Sequence, residues 1–174
     1  MYHMVRDAVP GARFNKMRVA PPVFRRQVEW LAREGWTFCF VSELLRPASK
    51  PGEKRVALTF DDGYRDNYTA AFPVLLEFNA KATLYPVVDR RPSLDWSTKK
   101  KSKHSSGELG KEPKIADAEI LEMVASGLVE LGGHGLTHPN LPQLSEAEAA
   151  KEITGCKQWL EQTFKVEAPT FCYP

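Results

Sequence analysis

A chain of 174 residues is long enough for one domain with a substantial core and too short for two of ordinary size. Apolar residues at 43% and charged residues at 26% fit a folded, water-facing protein, and a net charge of +2 excludes the dense basic surface that nucleic acid or an anionic membrane selects. No apolar run nears the ~20 residues of a membrane span, and residues 1–7 lack the long apolar stretch of a secretion signal. Cys39, Cys156 and Cys172 are odd in number and widely spaced. They read as thiols and favour a reducing compartment such as the cytoplasm, without fixing the location.

Short β-like runs alternate with helix-period stretches, the pattern of an α/β domain. Residues 2–5 form a possible first strand. Pro21 and Pro22 open a helix with Phe24, Val28 and Leu31 on one face, and Gly35 stops it. Residues 37–41 and 55–60 are expected strands, the second delivering Asp61 and Asp62 at its C-terminal end. Residues 67–78 read as helix limited or kinked by Pro73, with Asp66 and Asn67 capping it. Residues 81–88 read as a strand. Asp117 is expected to cap a helix with Ile120, Leu121 and Val124 on one face and Gly127 closing it. A strand over 128–131 runs into Gly132, Gly133 and His134. The Ser145–Glu148 pattern is a capping box, followed by the apolar stripe Ile153, Cys156, Leu160 and Phe164. Residues 169–173 read as a last strand. Residues 89–114, rich in lysine, serine and glycine, read as a polar loop insertion, solvated or facing substrate.

Two clusters carry chemistry. Thr59-Phe-Asp61-Asp62-Gly63 puts adjacent carboxylates at a strand end, and His134-Gly-Leu-Thr-His138-Pro139 puts two imidazoles on a loop. Neighbouring carboxylates repel when buried, so they call for a cation or protons. Successive side chains on an extended chain point apart, so one carboxylate can bind a metal while the other addresses its water. An Asp-Asp-Gly surface turn is the ordinary alternative. A helical pair of histidines is excluded by Gly132, Gly133, Gly135 and Pro139, so both lie on a loop after a strand. Strand ends of a parallel sheet share one face, where α/β sites form. Three protein ligands and one open position define a hydrolytic metal site, which points to amide or ester cleavage.

These motifs resemble those of the polysaccharide deacetylases, the NodB-homology domain, over nearly the whole chain. Tyr2-His3 is similar to the family's opening strand, and the stretch from Phe24 to Gly35 to its first helix. Residues 56–64 resemble its first catalytic motif, Lys81-Ala-Thr83 the following strand, and residues 134–141 its second motif. Phe171-Cys-Tyr-Pro174 resembles the start of the third. The resemblance implies a distorted (β/α) barrel whose C-terminal strands are missing from this chain, so residues 1–174 are expected to be a single domain truncated at its C-terminus. A partner chain or a missing C-terminal segment is expected to complete it. The implied reaction removes N-acetyl or O-acetyl groups from an acetylated glycan. Asp61 is the implied base, and Asp62, His134 and His138 are the implied ligands of a divalent metal, zinc as a rule. No other cofactor is implied.

His3, Tyr64, Trp96 and Tyr173 are weaker candidates for contact with sugar, and His104 reads as an exposed loop histidine. Where the family usually has an arginine that orients the base, Cys172 stands. The later motifs, including the acid that protonates the leaving amine, are absent from the sequence. The alternatives are a metal-independent amide or cyclic ureide hydrolase of the same fold and an inactive glycan-binding remnant.

Overall fold

A computed structural model describes residues 1–44, 46–48, 50–90 and 108–174. The polypeptide begins with residues 2–4 in isolated parallel pairings, Tyr2 with Phe60 and Met4 with Arg18, rather than in a continuous strand. Helix α1, Pro21–Arg33, starts on the two prolines as expected, since proline lacks the N–H that a first turn leaves unused. It buries Phe24 and Val28, and Gly35, at φ +73°, ends it. The rings of Tyr2 and Phe24 meet edge to face at 5.0 Å, and Tyr2 also stacks on Phe60 at 5.5 Å. This aromatic cluster seats the N-terminal segment beside the strand that carries the acidic pair.

The expected strand over 37–41 is cut to β1, Thr37–Phe38, because the short helix α2, Val41–Leu44, follows at once. The expected strand over 55–60 divides into β2, Arg55–Val56, and β3, Leu58–Asp62, which belong to different sheets. Strand β2 pairs in parallel with β1, and Arg55 also donates to the carbonyls of Glu43 in α2 and Arg46 just after it, before the chain changes partner at Ala57. Helix α3, Phe72–Glu77, is shorter than the expected 67–78 helix. A wide turn over Asn67–Ala71 precedes it, and Pro73 occupies the first turn, where its missing N–H costs nothing. Strand β4, Ala82–Pro86, is buried along its whole length.

Helix α4, Asp117–Ala125, starts one residue earlier than a cap at Asp117 would place it, with Ala116 at the cap position. Glu119 accepts from the Ala116 N–H, while Asp117 pairs with the buried Arg90. Its core face is Ile120 and Met123; Leu121, expected on that face, is 48% exposed. Strand β5, Val129–Leu131, follows. Helix α5, Glu146–Phe164, has the expected Ser145–Glu148 capping box and buries Cys156, Leu160 and Phe164. Residues 169–173 contribute only one bridge, Phe171 to Gly133, instead of a strand.

The sheet β3-β4-β5 is parallel, with Phe60 opposite Leu84 and Leu84 opposite Leu131. Tyr2 extends it past β3 and Phe171 past β5, so the C-terminal ends of three strands and two flanking segments lie along one edge. Helices cover it, which explains the continuous burial of β4. Among the described residues this is an open α/β sheet. Of the polar insertion 89–114, the described ends are anchored rather than solvated. Arg90 is buried against the carbonyls of Val87 and Ile115, and Glu108 and Glu112 pair with the buried Arg18. Trp96 and His104 lie outside the described residues.

Candidate metal centre and active site

Strand β3 ends on Asp61 and Asp62, opposite Tyr85 and Pro86 of β4. The Asp61 N–H donates to the Tyr2 carbonyl at 2.9 Å, so the acidic pair is gripped from both sides by backbone. Asp62 lies at φ +72° and Gly63 at +68°. The left-handed region is uncommon for a residue with a Cβ, and here it turns the Asp62 carboxylate out of the strand's alternation. Gly63 allows the next step: a Cβ there would sit 3.3 Å or less from Pro86 and Ile115.

The histidines arrive from β5. Gly132 and Gly133 are needed for approach, since a Cβ on Gly132 would fall 2.2 Å from the Tyr85 ring and one on Gly133 2.8 Å from Phe171. Gly133 pairs with the third motif through the bonds Gly133 N to Thr170 O and Cys172 N to Gly133 O, both 2.9 Å. This brings the Cys172 carbonyl to 3.0 Å from His134 Nδ1. A carbonyl only accepts, so Nδ1 carries a proton and Nε2 is left for the site. His138, like Asp62, has left-handed backbone, at φ +57°.

The structure brings Asp62, His134 and His138 together. Both Nε2 atoms lie 3.2 Å from the same carboxylate oxygen, Oδ1 of Asp62. Neighbouring ligands bound at about 2.0–2.2 Å to a tetrahedral ion stand about 3.3–3.6 Å apart; the two Asp62–histidine pairs are close to that spacing, and all three donor atoms lie within 4.8 Å of one another. Asp62 and His134 are sealed off, while the His138 side chain is 32% exposed, so the centre opens to solvent on the His138 side. Burial works against charge on Asp62, but the hydrogen bonds and charges of His134 and His138 hold its carboxyl far below the usual range. Burial likewise opposes the His134 imidazolium, yet Asp62 and the Cys172 carbonyl raise it to about 10. At Nε2 a proton and a divalent ion therefore compete for one lone pair.

Asp61 lies beside this trio at 3% exposure, and its Oδ1 has no hydrogen-bond partner among the described residues. Burial raises its pKa, opposed by the charges of His134 and His3. The thiol of Cys172 stands 3.8 Å from its other oxygen, the place the resemblance gives to an arginine. Asp61 thus sets a buried carboxylate, one oxygen of it unengaged among the described residues, next to three convergent donor groups.

The weaker candidates separate. The His3 imidazole acts on Asp61 through its charge, and its carbonyl accepts from Asn67 at 2.8 Å. Tyr64 is buried to 1% exposure, and burial together with the nearby charge of Asp62 pushes its phenol pKa up, so it lies inside the protein close to that carboxylate. The Lys114 ammonium sits 3.4 Å from the centre of the Tyr64 ring. Tyr173 is 73% exposed and packs edge-on against Phe171. Asp66 and Asn67 do not cap the helix after them; Asp66 accepts from the Val5 N–H and Asn67 donates to His3, binding the N-terminal segment to the site.

The sequence profile described as "Polysaccharide deacetylase" matches residues 48–174. The chain belongs to the polysaccharide deacetylase family. Among its relatives, YxkH of Bacillus subtilis (strain 168) is 26% identical over 177 residues, taking in all of this chain and 54% of that protein. The poly-β-1,6-N-acetyl-D-glucosamine N-deacetylase of Escherichia coli (strain K12) is 32% identical over 137 residues, 76% of this chain and 20% of that one. The chain thus spans about half the length of YxkH, and less of the longer relative. Of solved structures, the Streptococcus pyogenes deacetylase PplD in complex with acetate superposes with a TM-score of 0.77 at 25% identity, covering 99% of this chain and 71% of that one. BC0361, a polysaccharide deacetylase from Bacillus cereus, gives 0.76 at 27% identity, covering 98% and 48%. No described helix is long and apolar enough to cross a membrane.

Proposed function

We propose that this chain carries the metal and base of a deacetylase acting on an N-acetylated, or O-acetylated, polysaccharide or glycoconjugate. The observation that carries the reading is the convergence of Asp62, His134 and His138 on one point, beside a buried Asp61 with an unengaged oxygen. A divalent ion, zinc by the mixed imidazole and carboxylate donor set, would be held by those three residues. Bound there, it supplies Lewis acidity toward an acyl oxygen and acidifies its water. Asp61 takes the proton of the attacking water, and its burial, which raises its pKa, suits a base working near neutrality. Cys172 and His134 hold their positions through backbone shared with Gly133.

The same reading places the open sheet within a distorted (β/α) barrel, completed by further sequence or by a partner chain. Support comes from the greater length of the relatives. The glycan, linked N-acetylglucosamine by analogy with the Escherichia coli relative, is tested directly. Acetate release is measured from poly-β-1,6-N-acetylglucosamine and from chito-oligosaccharides, with zinc added, for wild type and Asp61→Asn. Release lost in the variant supports the assignment. Binding of sugar without release would mean a glycan-binding remnant, and release undiminished by chelation would mean a metal-independent hydrolase.

A further inference from the structure

The loop joining the two ligand histidines makes few contacts of its own, yet it is fixed on both sides. On one side, the carbonyls of Gly135 and Leu136 accept from the N–H groups of Val88 and Asp89, at 3.3 and 2.9 Å, in the segment that leaves β4. On the other side stands helix α5. Glu152 accepts three bonds from the loop: Leu136 N–H at 2.7 Å and Thr137 N–H at 2.9 Å, both on Oε2, and the Thr137 hydroxyl at 2.7 Å on Oε1.

One turn further along the same face, Gly155 interrupts an otherwise good helix. A Cβ there would meet Leu136 Cδ1 at 2.9 Å, so the glycine lets α5 come down onto the loop. Next to it, the fully buried Cys156 places its Sγ 3.4 Å from where a Cβ on Gly133 would stand. Residues 152, 155 and 156 share one face by helical spacing. That face is shaped to the loop: an acceptor for its amides and a gap for its leucine.

We propose that Glu152 is a positioning residue for the metal centre. It clamps residues 136–137 so that His138, at φ +57°, presents Nε2 beside Asp62 in step with His134. The role extends the metal reading above and depends on it only in part, because the clamp has a signal that needs no metal. Two loop N–H groups converge on a single oxygen of Glu152. Glutamine can therefore keep both, turning its amide toward a Thr137 hydroxyl that now accepts. Alanine loses all three bonds, and aspartate, one methylene shorter, cannot span the gap.

The test combines zinc titration against a competing chelator with amide exchange of Leu136 and Thr137. It is run on wild type, Glu152→Gln, Glu152→Asp, Glu152→Ala and the exposed control Lys151→Ala. Zinc affinity is expected to fall 10–100-fold in the alanine and aspartate variants and to stay within about threefold in glutamine and in the control. Exchange at residues 136 and 137 should rise in the same two variants, with or without zinc. Wild-type affinity and wild-type exchange in Glu152→Ala would overturn the proposal. If alanine fails to fold, the glutamine and aspartate pair decides it, and equal behaviour of those two overturns it. If wild type takes up no zinc, the metal reading fails, and exchange alone upholds or removes the clamp.

Discussion

The acidic pair and the histidine pair meet at one point but are held there by different means. Asp61 and Asp62 ride on a strand end paired with β4 on one side and with Tyr2 on the other, so backbone register places them. His134 shares that kind of support, through Gly133 and the Cys172 carbonyl. His138 hangs four residues further on, on a turn held outside the sheet, by backbone bonds from the segment leaving β4 on one side and by the Glu152 side chain of α5 on the other. The acidic half is thus fixed by the fold itself, and the far histidine by packing that could be altered without disturbing the sheet. The asymmetry fits the exposure: the rigid ligands are sealed and the adjustable one faces the solvent.

The largest way to break that comparison is to remove the best-held ligand. His134→Ala should abolish stoichiometric zinc, read by mass spectrometry of the metal, together with acetate release. His138→Ala should leave weak, measurable zinc on the two ligands that stay in place. Asp61→Asn comes next. It should keep full zinc content while turnover falls about 10²–10⁴-fold, because a proton acceptor is lost and no ligand is. Loss of metal in that variant would contradict the division of roles between the two carboxylates.

A third effect separates the halves by pH. Burial lowers Lys114 to about 7, against the opposing charges of Asp62, Glu112 and Asp66, and it lies under the acidic half alone. An unfolded lysine keeps its proton up to about 10.4. Between those values the unfolded state holds the extra proton, so stability should rise with pH, by about 1.4 kcal/mol per unit at most. Urea unfolding from pH 7 to 10 should show the rise, and Lys114→Met should flatten it. An equal slope in both proteins would assign the rise to other groups.

The smallest effect sharpens the histidine side. Gly132→Ala drives a methyl into the Tyr85 ring and should cost about 1–3 kcal/mol in the same urea measurement. Gly127→Ala is the contrast: nothing lies within 4 Å, and only its φ of +74° resists the change.

The legible part of the site was the part written in contiguous sequence. TFDDG and HGLTHP state their donors and spacing in a few residues, and the proline start of α1 and the capping box of α5 are equally local. The parallel sheet β3-β4-β5 agrees with the α/β reading drawn from β-like runs alternating with helix-period stretches. The supports of the site were not legible, because each is a bond between distant segments. Glu152 looks like any solvated glutamate on an amphipathic helix until the loop it holds is placed against it. Gly155, a glycine inside a helix, was the available signal. Lys114 reads as part of a lysine-rich polar stretch, and only the fold shows its amine over an aromatic ring. Asp66 and Asn67 have the composition of a helix cap, but the N-terminal segment competes for them and wins.

Asp62 and His138 both occupy backbone conformations that a residue with a side chain adopts reluctantly. A glycine at either position would relax the chain while deleting a ligand. Thermal endurance and chemistry therefore pull in opposite directions at two of the three donors. A library of variants sorted for resistance to heat alone would drift toward empty, sturdier copies of this fold, so any such sort needs a second screen for bound zinc.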